Sequence, residues 1–435
     1  MRIETFIARR VSASGQQSFS RLILRIAVVA VALSVAVMIC ANALIAGFKQ
    51  EISSKIFGFW GHIHITDTDI NRSLLEAFPI EQNQPFYPHL DTLRRVEYFY
   101  TENWFGQSVQ RLGRSKGGVR HIQVFAIKPG IIEATKKDGK DIEGIILKGV
   151  GQDFDWEFMG QYIKRGRPLD MPADEMSRDI LISEQTASRL QVDTGASFIV
   201  HFVEKGEQLQ RRFRVSGIYR TGLEEYDRKF ALVDIRQIQR LLNWREDQVS
   251  GFEVFIDHID DLDLLSEYIY FEELPSDLYA ESIRHKLPEI FDWLDLQDIN
   301  EVVILSLMVI VAIINMITAL MILILERTNM IGILKALGTS NWSIRKIFLY
   351  YAGYIIVVGL FWGNFIGIGL CLLQDHFEFI KLSEENYYLS TAPIALKLWP
   401  ILLLNLGTLL VTLAFLVIPS YLVTNISPVK AIRFK

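Results

Sequence analysis

Residues able to do chemistry are sparse in this chain and poorly spaced for it. His62 and His64 stand two apart in an alternating stretch, so both side chains leave one face of a strand. That is the nearest approach to a metal site, but no cysteine or third histidine lies near, and two ligands seldom hold zinc. None of the serines sits in a G-x-S-x-G elbow. Glu224, Glu225 and Asp227, like Asp260, Asp261 and Asp263, read as solvated turns rather than sites. No G-x-x-x-x-G-K-S/T loop is present to cradle a nucleotide. The residues therefore predict no catalytic group, no metal and no cofactor on this chain, and nothing in them points to nucleic acid. If the chain takes part in ATP-driven work, ATP and magnesium belong on a partner.

The elements around these residues are dominated by apolar runs. Half of the 435 residues are hydrophobic, and the excess sits in four blocks, 26–48, 302–325, 347–374 and 398–429, none containing a charge. Each exceeds the roughly 20 residues a helix needs to cross a bilayer. The first continues past Ala41-Asn42-Ala43 through Leu44, Ile45 and Phe48, so it reads as a retained span rather than a cleaved leader. Ion-coupled transporters keep ionisable groups at mid-membrane. These blocks hold neutral polar residues instead, among them Asn42, Asn315, Asn364 and Asn405.

Charge sets the expected orientation. The N-terminal segment, the loop after the second block and the C-terminal tail together carry 12 basic and 2 acidic residues, whereas residues 49–301 carry 31 basic and 44 acidic. Positive segments stay in the cytoplasm. The expected fold class is therefore a four-span α-helical membrane protein, N-in and C-in, with a large α+β extracytoplasmic domain. The expected boundaries are a cytoplasmic segment 1–25, spans at 26–48, 300–326, 347–373 and 398–424, the domain at 49–299, a cytoplasmic loop at 327–346, a short outer loop at 374–397 and a tail at 425–435.

Within the domain, strands are expected at 60–66, 120–127, 197–204, 209–218 and 252–257, with a short strand leading into a helix over 180–190. Lys205-Gly206 reads as a hairpin turn, and 277–296 as an amphipathic helix leading into the second span. In the third span Gly359, Gly363 and Gly367 recur every four residues and admit a close helix neighbour, either within the subunit or across a dimer seam. Ala32 and Ala36, with Ala27, Ala30 and Ser34, make the first span a dimer candidate.

The cytoplasmic loop holds a short amphipathic helix. Met330, Ile331, Ile333, Leu334 and Leu337 form its apolar face, Gly338 stops it, and Ser340 or Asn341 can cap the next helix. Such a helix suits either docking into a soluble partner or lying on lipid headgroups.

Residues 326–348 (ERTNMIGILKALGTSNWSIRKIF) resemble the signature of the FtsX/MacB-type permeases of type VII ABC transporters. Phe6–Arg10, Gly47–Ile52 with Gly61–Ile63, and Ile426–Arg433 resemble the same family. Residues 213–227 (FRVSGIYRTGLEEYD) followed by Ala231-Leu232-Val233 are similar to its LolC/LolE lipoprotein-releasing branch. The resemblance implies a MacB-like periplasmic domain in a Gram-negative-type inner membrane. It implies a non-catalytic permease, a LolD-like ATPase dimer, a second permease subunit (identical or different), an acylated lipoprotein as cargo, and a LolA-like carrier. The ATPase-coupling residues it implies are Glu326, Arg327, Met330, Ile331, Gly332, Leu334, Lys335, Leu337 and Gly338. The acyl chains would enter between the first two spans, lined by Ile39, Ala43, Ile45 and Phe48 and by Val302, Leu305 and Val309. LolC-type subunits carry a long hairpin that hooks the carrier; here Val203–Glu207 leaves room for a short turn. Export of a toxin, peptide or drug in the manner of MacB, or FtsX-like control of a periplasmic cell-wall hydrolase, are the alternative readings.

Overall fold

The computed structural model describes residues 18–68, 78–104, 107–136, 139–204, 206–383 and 387–426. The family-like stretches at Phe6–Arg10 and beyond Ile426, and the turn residue Lys205, lie outside them. The chain forms two compact units. One comprises residues up to Glu51, Asp292–Lys381 and Thr391 onward; the other comprises Ile52–Phe291 and Leu382–Ser390.

The first unit is helical. Among the described residues four helices, Ser18–Trp60, Pro288–Glu326, Asn341–Phe377 and Leu398–Ser420, contain the segments long and apolar enough to cross a membrane. The first three outrun their apolar blocks because the flanking Lys, Gln, Glu and Leu are good helix formers. The first helix stops only at Gly61, whose φ is +73°. It therefore takes in Trp60, where alternation suggests a strand.

The third helix lies against the first along the glycine row. A Cβ at 359 would fall 2.7 Å from Val31 Cγ1, one at 363 2.7 Å from Val35 Cβ, and one at 367 3.0 Å from Ala36 Cα. Ala32 and Ala36 are buried in that seam. The small-residue face of the first helix is thus filled by the chain's own third helix, and the side left open carries Ile26, Val29 and Leu33. Asn364 and Asn405 exchange amide hydrogen bonds of 2.6 and 2.9 Å between the third and fourth helices, and each also donates to a carbonyl four residues earlier. Amide pairs of this kind hold helices together in lipid.

The second unit is α+β. Its strands are β1 (Ile63–Asp67), β2 (Ile80–Glu81), β3 (Glu97–Trp104), β4 (Gln107–Arg114), β5 (Val119–Lys136), β6 (Gly139–Val150) and β7 (Ile163–Gly166). There follow β8 (Asp179–Ser183), β9 (Ser197–Glu204), β10 (Glu207–Tyr219), β11 (Phe230–Asp234), β12 (Gln248–Val249), β13 (Gly251–Ile256) and β14 (Leu278–Ser282). The main sheet runs β14-β1-β13-β5-β6-β11-β8-β10-β7, and β9 pairs with both β10 and β5. That double pairing closes β5, β6, β11, β8, β10 and β9 into a ring. Val200, Phe202, Phe213, Leu181 and Leu232 are all buried in it. Strands β10 and β8, and β11 and β6, run parallel, and the other pairs are antiparallel.

The stretch read as a helix over 277–296 is corrected in its first part. Leu278, Ala280 and Ser282 are buried while Tyr279 and Glu281 are half-buried, a period of two. The strand pairs with β1 from Ile63↔Ser282 to Asp67↔Leu278, and the long helix begins only at Pro288. Between β9 and β10, Glu204 pairs directly with Glu207, so the connection is a two-residue turn with Gly206 at φ +84°.

The acidic clusters are not wholly solvated. Asp227 is 6% exposed; it accepts from Thr221 N, Thr221 Oγ1 (2.7 Å) and Gly222 N (3.0 Å), fixing the 221–223 turn. Asp261, 5% exposed, accepts from Lys116 N and Gly117 N at 2.8 and 2.9 Å. Buried turns leave backbone N–H groups without partners, and a carboxylate supplies them.

Candidate coupling site

The loop between the second and third helices is built with almost no slack. Glu326 ends the second helix, and one residue, Arg327, separates it from the short helix Thr328–Ala336. Thr328 Oγ1 donates to the Leu325 carbonyl at 2.5 Å, satisfying one of the acceptors a helix end leaves open. The short helix closes with a Schellman pair: Thr339 N donates to Leu334 O and Gly338 N to Lys335 O, both at 3.0 Å. Gly338 sits at φ +86°, a conformation glycine takes without a Cβ penalty. Ser340 then caps the third helix, its hydroxyl accepting from Ser343 N at 3.2 Å.

Packing divides the apolar face of this helix in two. Ile331 and Gly332 are buried, and Met330 and Leu334 pack against the helical core. Ile333 is 49% exposed, Leu337 77% and, at the start of the next helix, Trp342 53%. The open set is therefore Ile333, Leu337 and Trp342. Ile333 belongs to the apolar face that the sequence pattern marks, though not to the coupling residues the resemblance implies, and Trp342 belongs to neither; Ile333 and Leu337, four apart, share one face of the helix. Glu326 is exposed and lines a crevice with Ile23, Leu323 and Tyr351. Lys335 turns inward to carbonyls of the chain's C-terminal end, and burial together with the charge of Arg345 holds its pKa below the usual lysine range.

The seven residues expected along a lipid path are placed unevenly. Ile39 and Ala43 belong to the helical core, and Ile45 is buried. Leu305 and Val309 pack partly against that core, Phe48 is half-buried, and Val302 is 63% exposed. The first two helices are joined there by Asn42 Nδ2 donating to Glu301 Oε1 at 2.5 Å, by Lys49 with Asp298 at 2.6 Å, and by an edge-on contact of Phe48 with Trp293 at 5.3 Å. Spacing gave no signal for these three contacts.

His62 and His64 go to separate structural roles. His62 stacks on Phe57 at 4.4 Å and accepts from Ile256 N, and burial with the Arg120 charge pushes its pKa down to about 3. His64 Nε2 donates to Trp60 O at 2.6 Å, and its Nδ1 accepts from Lys286 Nζ at 2.9 Å, so the ring is neutral. Beside it lies a fully buried pair, Lys148 Nζ and Glu253 Oε1 at 2.7 Å. The ammonium also donates to Phe59 O, and Gln123 donates to the other carboxylate oxygen. Burial pushes Lys148 down and Glu253 up, and their attraction opposes both shifts. Among the described residues no three His, Cys, Asp or Glu side chains gather as a metal site.

Comparison with known families finds a match over most of the second helix, the third and the fourth. Residues 302–428 match the FtsX-like permease C-terminal family. The chain carries an FtsX-like permease domain. Over nearly its whole length it is similar to lipoprotein-releasing system transmembrane proteins. LolC of Xylella fastidiosa strain Temecula1 is 21% identical over 442 residues, covering 98% of this chain and 97% of the relative. LolE of Haemophilus influenzae is 21% identical over 434 residues, covering 94% of each. The extracellular domain of the noncanonic ABC-type transporter YknZ from Gram-positive bacteria aligns with 50% of this chain, over 98% of its own length, at 11% identity and a TM-score of 0.29. In the FtsX-like domain, the short helix Thr328–Ala336 is the segment that joins two spanning helices and presents apolar side chains outward.

Proposed function

We propose that this chain is the permease subunit of an ABC transporter that extracts acylated lipoproteins from the inner membrane for transfer to a periplasmic carrier. A separate LolD-like ATPase dimer drives it, and a second permease subunit completes the complex. Both termini and the Thr328–Ala336 helix face the cytoplasm, and the α+β unit faces the periplasm. The names of the full-length relatives support the cargo. The observation that carries the mechanism is the pair Ile333 and Leu337, open on a short helix locked to the second and third spans.

ATP binding closes the partner dimer, and that motion pushes the short helix. The adjoining spans transmit the push. Acyl chains enter between the first and second helices once the Asn42–Glu301 and Lys49–Asp298 contacts part, past Phe48, Leu305 and Val309. Moving acyl chains into water costs about 0.8 kcal/mol per CH₂, so release needs both ATP and an enclosing carrier. With a two-residue turn between β9 and β10, the carrier docks otherwise than through a long hook at that place.

The test is to purify the chain from its native membrane in mild detergent and identify what accompanies it by mass spectrometry. An ATPase together with acylated lipoprotein supports the proposal. An ATPase with a cell-wall hydrolase, or with a periplasmic adaptor, and without lipoprotein replaces it with the corresponding alternative.

A further inference from the structure

Lys335 and Arg345 face away from the open apolar patch and meet the end of the fourth helix. The ammonium of Lys335 has three donors and three acceptors in reach: Val423 O at 2.7 Å, Thr424 O at 3.1 Å and Ile426 O at 2.8 Å. The last carbonyls of a helix have no partners inside it. Pro419 lies just before this end, and the helix Leu422–Asn425 is a single turn, too short to be stable by itself. Arg345, 9% exposed, approaches the same turn from the third helix. Its Nη2 donates to Thr424 Oγ1, and its guanidinium lies 3.6 Å from the centroid of the Tyr421 ring. Both cations sit at the negative end of the helix dipole. Beneath them Ile331, Ile344 and Val423 are fully buried in one apolar cluster.

The second and third helices are tied to the short helix by the chain itself, through Arg327 and through residues 337–340. The fourth helix has no such tie, and its connection runs through side chains. We propose that Lys335 and Arg345 are positioning residues that fasten the short cytoplasmic helix to the C-terminal end of the fourth helix. A push on Ile333 and Leu337 then moves the fourth helix together with the second and third. The inference rests on the proposed function in one respect, that an ATPase delivers the push.

The test uses the complete chain with its co-purified ATPase in lipid nanodiscs. Cys40→Ser and Cys371→Ser clear the background, and spin labels go on Ala336→Cys and Asn425→Cys. The distance between the labels is measured with and without a non-hydrolysable ATP analogue, and ATP consumed per molecule released is measured in parallel. The expected result is one narrow distance in both nucleotide states for the otherwise wild-type chain. Lys335→Met should broaden the distance or make it nucleotide-dependent and raise the ATP consumed severalfold, while Lys335→Arg should retain most of the coupling. Thr424→Val, which removes the acceptor of Arg345, should give a weaker form of the same change and stands in if Lys335→Met does not fold. A narrow, nucleotide-independent distance in Lys335→Met and Thr424→Val alike overturns the proposal. The distance readout needs the ATPase and nucleotide but no cargo. A wild-type complex that releases no lipoprotein would therefore sink the cargo assignment, while the label distances would still decide the fastening.

Discussion

Substituting Leu337 separates partner contact from stability, because its side chain is 77% exposed in the chain by itself. Full burial of a leucine side chain contributes about 1.5–3 kcal/mol. Three-quarters of that surface, covered on docking, corresponds to about 1–2 kcal/mol, or a Kd weakened roughly 5- to 30-fold in Leu337→Ala. Leu337→Asp adds the cost of burying a carboxylate without a partner and should abolish measurable binding. Neither change should move the melting temperature of the isolated subunit much, since exposed positions shift stability by about 0.5 kcal/mol or less. Leu334→Ala is the contrast: that side chain packs on the helical core, and truncation there should lower stability by about 2 kcal/mol or more. The assay titrates the purified ATPase onto immobilised nanodiscs holding each variant, with thermal unfolding followed in parallel. A folded Leu337→Asp subunit that binds the ATPase as tightly as wild type would exclude Leu337 from the contact.

Three further expectations concern the rest of the molecule. Gly363→Leu forces a side chain where a Cβ alone would stand 2.7 Å from Val35 Cβ and 2.8 Å from Ala32 O, so it should destabilise the helical unit by about 1–3 kcal/mol. Gly407→Ala, with nothing within 4 Å, should melt like wild type in the same detergent. His62 is held neutral, with a folded pKa of about 3 against an ordinary 6.5, so the unfolded chain takes up the proton first as pH falls. Its contribution is present above 6.5 and lost between 6.5 and 3, amounting to about 2 kcal/mol by pH 5. The melting temperature of the full-length protein should therefore drop from pH 7 to pH 5, and His62→Phe should flatten that drop. In a chain carrying Cys40→Ser and Cys371→Ser, a disulfide between Asn42→Cys and Glu301→Cys should stop release, and reduction should restore it. Release undiminished by a complete cross-link would remove the gap between the first two helices from the pathway.

Much of this architecture is legible in the residues, and the exceptions share a cause. Uncharged blocks of bilayer length announce four long helices because lipid tolerates little else. The strand at 197–204 shows in its alternation, and those at 180–183 and 252–256 show as short, largely apolar runs that end up buried at every position. Strand Leu278–Ser282 does not, since five residues ahead of a long helix fit either period, and its pairing with β1 decides the matter. The ring closed by β9 depends on pairings between residues distant in sequence, which local pattern does not encode. The assignment of Leu382–Ser390 to the α+β unit is of the same kind. In the coupling segment, composition marks the helix, its glycine stop and its serine cap. It does not say which of five apolar residues turn outward, because Met330, Ile331 and Leu334 look the same as Ile333 and Leu337 until the helical core covers them. Nor does composition show that Asp227 and Asp261 turn inward, because backbone N–H groups that need an acceptor leave no trace in it.

On the function proposed above, ATP hydrolysed by a partner is converted by this chain into release of an acylated lipoprotein. The most direct measurement reconstitutes the purified complex with its co-purified lipoprotein in proteoliposomes and adds ATP and the periplasmic soluble fraction. Lipoprotein appearing in the supernatant is then counted. The expected result is ATP-dependent release that requires both the ATPase and the soluble fraction, and its loss when Leu337→Asp replaces the wild-type subunit. Vigorous ATP hydrolysis by the intact complex, with the lipoprotein still in the vesicles, would overturn the proposed function.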